Sequence, residues 1–321
     1  MSQDKPPYSI TGNILALVST ISEKLGEVNA AYLTKPPTYL RKANRIKTIH
    51  SSLEIEGNTL SFDQVTAVFE DRKILGPKKD ILEVKNAIRL YDNLKSYKPF
   101  SIQSFLNAHA LLMKGLVDHP GRFRGKGAGI IKGSQLAHIA PDSSMVHPLM
   151  KNLFSYVHNH NDLWLIKSCV FHYEMEFIHP FEDGNGRMGR FWQSVILSDK
   201  YPVFEYLPIE SIIRAKQEEY YESLGLSDAE GQSTSFIEFI LGVIDLALLE
   251  LLSYERVKLS DVERIEQFKE FIGNDHFTRK DYLKKYPELS SATASRDLRI
   301  GVEKGLIIKS GDKNTTQYRL K

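Results

Sequence analysis

Apolar side chains recur along this chain mostly at intervals of three and four, the period of helices buried along one face. Ile14, Leu17, Val18, Ile21 and Leu25 form the first such stripe, with Thr11 placed to cap it. A second helix is expected from about Leu40 to Ile55, ending at Glu56-Gly57-Asn58, where glycine suits the left-handed position beyond a helix end. Ser61-Phe62-Asp63-Gln64 has the form of a capping box that opens a third. Further helices are expected over Ile81 to Leu94 and Ser101 to Leu116, before a break at His119-Pro120-Gly121.

From Gly121 to Pro148 the texture changes. Glycines cluster at 121, 125, 127, 129 and 133, and the short apolar pieces Ile130-Ile131 and Ala137-His138-Ile139 flank Gly133-Ser134, a pattern that predicts a β-hairpin or flap. Helices resume over Leu149 to His158 and Leu163 to Ile178, where Pro180 ends the second. A boundary is expected near Tyr254 to Ser260. Beyond it lie a helix (Val262, Ile265, Phe268, Ile272), one opened by Thr278, one beginning near Ser290-Ser291, and two short strands, Leu306 to Lys309 and Gln317 to Leu320. Three helices and a hairpin in that span outline a winged helix.

Composition narrows the class. At 321 residues, with 42% hydrophobic and 26% charged residues, the chain is an ordinary core-forming protein of about two units. The single cysteine, Cys169, cannot form an internal bridge, which fits a reducing compartment. The N-terminus lacks the basic start and apolar run of a secretion signal. The greasiest stretch, Phe239 to Leu252, is shorter than the roughly 20 residues a bilayer span needs. A net charge of +2 argues against a nucleic-acid coat. No membrane association is expected, and a cytoplasmic location is.

The chemistry concentrates in His179-Pro180-Phe181-Glu182-Asp183-Gly184-Asn185-Gly186-Arg187-Met188-Gly189-Arg190. One helix ends at His179, a glycine-bearing loop follows, and another helix begins near Arg187. Such a loop offers successive backbone N–H groups at a helix N-terminus, which favours an anion and most naturally a phosphate. Gly184 and Gly186 let a ligand approach the backbone closely. Arg187 and Arg190, three apart, can reach one side of the helix and hold more than one phosphate. Asp183 is a hard oxygen ligand suited to Mg²⁺, and His179 has the imidazole chemistry to accept a proton from an attacking hydroxyl.

This stretch resembles the signature of the Fic (Fido) family: His, any residue, Phe, any residue, Asp or Glu, Gly-Asn-Gly-Arg, two variable residues, Arg. Every fixed position is matched, from His179 through Phe181, Asp183, Gly184, Asn185, Gly186 and Arg187 to Arg190. With the flap region and Tyr220-Tyr221-x-x-Leu224, the resemblance spans most of residues 40 to 245. It implies AMP transfer from ATP to a hydroxyl side chain of a protein. By that resemblance His179 would be the general base, Asp183 would hold Mg²⁺, and Asn185 with the Gly184 and Gly186 amides would stabilise the α-phosphate. Arg187 and Arg190 would hold the β- and γ-phosphates, and Phe181 would face the core. Upstream, Ser52-Leu53-Glu54-Ile55-Glu56-Gly57 is similar to the family's inhibitory pattern of Ser or Thr, three residues, Glu, then Gly or Asn. The similarity implies that Glu56 pairs with Arg190 and occupies space the γ-phosphate needs.

Other signals are weaker. Gly125-Lys126-Gly127-Ala128-Gly129 lacks phosphate-loop spacing, and the resemblance implies a flap that aligns target backbone by strand addition. His158, His160 and His172 show no metal-ligand spacing. Tyr220 and Tyr221 are candidates either for an adenine pocket or for the core. Residues 259 to 321 carry 13 Lys and Arg against 10 Asp and Glu, with Ser295, Arg296 and Arg299 on the recognition helix and Lys313 on the wing. That surplus leaves DNA and protein contact both open.

The expectation is therefore a mainly α protein: a Fic-type helical bundle with a β-hairpin flap, plus a small C-terminal winged-helix domain. Its domains would be an N-terminal helical region over 1–100 with the inhibitory motif at 52–57, a catalytic core over 101–245 and the winged helix over 260–321. The expected activity is protein adenylyltransfer from ATP with Mg²⁺ to Ser, Thr or Tyr of a target protein or of the chain itself, inhibited through Glu56. Homodimerisation is a further option. Two alternatives stand beside it: removal of AMP by the same fold with Glu56 orienting water, and a nucleotide-sensing DNA-binding regulator.

Overall fold

The computed structural model of the chain describes residues 5–30, 36, 38–127, 129–132, 135–256, 260–272, 276–286, 289–312 and 316–320. It divides into two units, Met1–Lys35 with Lys42–Leu251, and Pro36–Arg41 with Leu252–Lys321.

The helices lying wholly or mostly in the first unit are α1 (Gly12–Ala30), α2 (Thr38–Ile55), α3 (Phe62–Phe69), α4 (Lys78–Asp92) and α5 (Ile102–Leu112). The flap strands β1 (Gly129–Lys132) and β2 (Gln135–Ile139) follow. After them come α6 (Ser143–Asn159), α7 (Trp164–Ile178), α8 (Asn185–Lys200), α9 (Ile209–Ala215), α10 (Gln217–Glu230) and α11 (Thr234–Arg256). Thr11 Oγ1 caps α1 through the Ile14 amide, and Ser61 with Gln64 forms the full capping box on α3. The flap is antiparallel, pairing Gly129 with Ile139 and Lys132 with Gln135; Gly133 and Ser134 lie outside the described residues. One start differs from expectation. Helix α6 begins at Ser143, not after Pro148, because the Asp142 carboxylate caps it through the Ser144 amide at 2.9 Å. That cap outweighs the one backbone bond the internal proline removes.

Helix α7 is buried nearly all round, from Leu165 to Ile178, and α8 from Asn185 to Leu197, so these two pack together at the centre of the unit. Phe105, Phe154, Phe171, Phe181 and Trp192 interlock around them in edge-on and stacked pairs. The signature loop joins these two central helices and inherits their rigidity.

The second unit holds α12 (Asp261–Ile272), α13 (Arg279–Lys285), α14 (Ser291–Glu303) and the antiparallel pair β3 (Ile307–Ser310) and β4 (Gln317–Leu320). Thr278 and Ser290 cap α13 and α14. Phe268, Phe277, Tyr282, Leu298 and Ile307 are part of its own core. Arg264 grips the fully buried Asp297 with two hydrogen bonds of 2.6 and 2.8 Å. Lys313 lies outside the described residues. No described helix is long and apolar enough to cross a membrane.

Candidate active site

The loop between α7 and α8 is held by side chains rather than by regular structure. His179 ends α7 with φ 49° and ψ 60°, a left-handed conformation that costs a non-glycine residue and is unusual before proline. Gly184 opens α8 at φ 86°, where a side chain would be strained, and a Cβ there would also meet Met113 Sδ at 2.8 Å. Asn185 folds back over the turn. Its Oδ1 accepts from the Phe181 amide and its Nδ2 donates to the Phe181 carbonyl, both at 2.9 Å. The Phe181 ring is wedged between His109, stacked at 3.6 Å, and Phe105 at 5.3 Å.

His109 locks the other side of the turn. The Gly121 amide donates to its Nδ1 at 2.8 Å, so the proton sits on Nε2, which donates to the Asp183 carbonyl at 3.0 Å. Burial pushes its pKa down to about 4, which keeps the ring neutral in that one tautomer. Sequence pattern alone did not single out His109. It sits on the apolar face of α5, 74 residues from its partner, and only the fold brings the two together.

Both signature arginines are engaged. Arg187 donates from Nη1 to Glu83 Oε1 at 3.1 Å and from Nη2 to Asp183 Oδ1 at 2.8 Å. Among the described residues its buried Nε has no hydrogen-bond partner. A buried guanidinium donor without an acceptor costs free energy until an acceptor arrives. Glu83 in turn accepts from Asn58 Nδ2 at 2.8 Å. Arg190, only 2% exposed, donates from Nε to Ser52 Oγ at 3.1 Å. Its Nη2 reaches the Ser52 carbonyl at 3.0 Å and Glu56 Oε1 at 2.7 Å. Burial opposes the charge on Arg190, but Glu56 beside it raises its pKa overall, so it stays protonated.

The turn after α2 explains how Glu56 gets there. The Asn58 amide bonds the Leu53 carbonyl at 3.1 Å and the Gly57 amide bonds the Glu54 carbonyl at 3.0 Å, with Gly57 at φ 87°. This is a Schellman ending, and it places Glu56 at the helix cap with its carboxylate over the loop. A Cβ at Gly186 would overlap that carboxylate.

Asp183 keeps a side chain 46% exposed, and its described hydrogen bonds fall on Oδ1, from Gly184 N at 2.6 Å and from Arg187. The Gly184 amide is thus occupied by Asp183, and the Asn185 side chain by Phe181. The first amides of α8 have no partner within the helix by its geometry, which leaves a helix N-terminus suited to an anion. His179 is half-buried at the mouth of this turn. Among the described residues no group of three or more His, Cys, Asp and Glu gathers as a metal site. His172 is a core histidine, bonded to Gln193 Oε1 at 2.8 Å and near the Tyr220 hydroxyl at 3.2 Å. Tyr220 is 2% exposed with its ring against Phe236, so the structure places it in the core, while Tyr221 is half-buried beside it.

Comparison with known proteins agrees with this construction. Residues 99–197 match the Fic/DOC family. The solved structure of a Fic family protein from Desulfovibrio desulfuricans shares 39% identity, covers 99% of this chain and 98% of that one, and superposes with a TM-score of 0.77. The chain belongs to the Fic family. The fold recurs in Fic-1 from Caenorhabditis elegans at 20% identity, over 77% of this chain and 74% of that one, with a TM-score of 0.62. In sequence, the chain is 28% identical over 204 residues to the protein adenylyltransferase Fic of Nematostella vectensis, covering 60% of this chain and 45% of that protein. It is 26% identical over 206 residues to protein adenylyltransferase fic-1 of C. elegans, covering 60% and 38%. The chain spans less than half the length of these two relatives. The stretch from His179 to Arg190 that resembles the family signature comprises the turn after α7 and the first turns of α8.

Proposed function

We propose that this chain is a protein adenylyltransferase, moving AMP from ATP to a hydroxyl side chain of a protein, and that Glu56 inhibits it. One observation carries the reading: His179 at the cap of α7, the turn that opens α8, and Arg187 and Arg190 on its first two turns bring an imidazole, a helix N-terminus and two guanidinium groups into one short segment. The relatives named protein adenylyltransferase support it.

In this reading the triphosphate lies over the N-terminus of α8, its charge met by backbone amides and both arginines. The orphan Nε of Arg187 finds its acceptor there. The target hydroxyl, its proton passing to His179, attacks the α-phosphorus. The bond to the α–β bridging oxygen breaks and pyrophosphate leaves. The chain supplies positioning and charge, which is most of what phosphoryl chemistry asks. Asp183, with one oxygen outside its described hydrogen bonds, is the residue that would hold a Mg²⁺. The metal, when bound, neutralises charge on the triphosphate.

Glu56 takes the Arg190 donor that the terminal phosphate needs. Removal of AMP, with Glu56 orienting water, uses the same groups. The C-terminal unit has the outline of a winged helix. On α14 Arg296 and Arg299 are exposed, which suits contact with either a protein target or DNA. A cytoplasmic location goes with this reading.

The test is incubation of the purified chain and of Glu56→Gly with ATP and protein targets, followed by intact-mass analysis. The variant is expected to load AMP and His179→Ala to load none. Stripping of preloaded target instead of loading would point to the reverse reaction. Self-modification and dimerisation are read from the same samples by mass and light scattering. Salt-dependent DNA retention lost in Arg296→Ala, with no AMP transfer in any variant, would support the regulator instead.

A further inference from the structure

Arg124 lies in the glycine-rich stretch before the flap and is only 4% exposed. Each described hydrogen bond of its guanidinium goes to a backbone carbonyl. Nε donates to His179 O at 2.8 Å, Nη1 to Lys126 O at 2.7 Å, and Nη2 to Pro141 O at 2.5 Å and Ile178 O at 3.3 Å. Its own backbone amide donates to Pro180 O at 2.9 Å. Burial lowers its pKa.

These partners fall into two groups. Ile178 is the last residue of α7, His179 caps it and Pro180 follows, at a helix end where carbonyls lack helical partners and a cation is favoured. Lys126 precedes β1 and Pro141 follows β2, so they are the two stems of the flap. One planar, fork-shaped cation therefore spans the backbone that carries the imidazole and both ends of the hairpin. It also bonds His179 in the strained left-handed conformation that the residue would otherwise tend to leave.

We infer that Arg124 is a positioning residue for the transfer reaction: it fixes the His179 imidazole and the flap that presents the acceptor in one geometry. This rests on the adenylyltransferase reading of the site. Among the described hydrogen bonds Arg124 shares no acceptor with Arg187 or Arg190, so its loss is expected to fall on kcat rather than on nucleotide affinity. Lysine cannot replace it fully, because one ammonium cannot reach four carbonyls spread around a planar fork.

The experiment uses the full chain carrying Glu56→Gly, with Arg124→Gln or Arg124→Lys added. ATP affinity is measured by calorimetry, kcat at saturating ATP by AMP transfer, and backbone mobility by hydrogen exchange. For Arg124→Gln the expectation is ATP affinity within about twofold of the parent and kcat lower by about 100-fold, the scale of a small misplacement. Arg124→Lys should recover part of kcat. Exchange should quicken in 126–142 and 179–181 and not in 185–197. Equal losses of affinity and kcat, an unchanged kcat, or exchange that quickens evenly would each overturn the inference. If the Glu56→Gly parent transfers no AMP, it is the functional reading that fails. The exchange pattern still decides whether Arg124 joins the flap to His179.

Discussion

Glu56 Oε1 lies 2.7 Å from Arg190 Nη2, and that contact ties the end of α2 to the middle of the signature helix across 134 residues of sequence. The Arg190 side chain is almost wholly buried, whereas Glu56 keeps a side chain 31% exposed. The pair is therefore asymmetric: the arginine cannot leave, and the glutamate can.

Removing the glutamate should leave a buried charge short of one acceptor, at a cost on the order of 1–3 kcal/mol. Glu56→Gly is expected to melt lower than the parent without ligand. ATP should stabilise the variant more than it stabilises the parent, because the terminal phosphate then replaces the carboxylate. Thermal unfolding with and without ATP checks both halves. Equal ATP shifts in the two proteins would show that Glu56 does not compete with the nucleotide.

Gly186→Ala tests the same contact from the other side. The new methyl overlaps the Glu56 carboxylate, the far end of a flexible side chain, which can swing away only by giving up its bond to Arg190. Once displaced, Glu56 has nothing further to lose. In a double-mutant cycle on transfer rate, Glu56→Gly and Gly186→Ala should be non-additive by more than about 0.5 kcal/mol. Additive effects would mean the methyl leaves Glu56 in place.

Asn185→Ala removes both hydrogen bonds to the Phe181 backbone and leaves a buried amide and carbonyl unpaired. A loss on the order of 2 kcal/mol or more is expected, read as a lower urea midpoint at constant slope. A loss below about 0.5 kcal/mol would show that His109 and Phe105 hold the turn without it.

Two buried histidines give the protein a directional response to acid. Burial pushes His109 down to about 4 and His172 down to about 3, so each is neutral in the folded chain. As pH falls, the unfolded chain takes up these protons first. Their stabilising contribution is thus complete above about 6.5 and is lost toward about 4 and 3 respectively. For His109 alone the effect is on the order of 3 kcal/mol. Imidazole resonances assigned to these two residues should stay flat between about pH 8 and pH 5.5. A titration in that window would contradict their burial as neutral rings.

Much of this was legible in the sequence because the relevant forces are local. Ser61 with Gln64, Thr278 with Asp281, and Gly57 after Glu56 announce helix ends through bonds made within a few residues. Gly184, Asn185 and Gly186 announce a turn in the same way. The pairs that fix the site are different in kind. His109 with Asp183, Glu83 with Arg187, and Arg124 with His179 lie 55 to 104 residues apart, and no periodicity links them. Asn185 shows the limit from within the motif itself. Its presence in the loop was evident, but not that its side chain would turn inward to Phe181.

The measurement that bears most directly on the account is intact-mass analysis of a target-protein mixture after incubation with ATP and each of three proteins: the unaltered chain, Glu56→Gly, and Glu56→Gly with His179→Ala. The account predicts AMP adducts with Glu56→Gly, at least about tenfold fewer with the unaltered chain, and none with the double variant. Equal labelling by all three, or none by any while ATP binds, would contradict it.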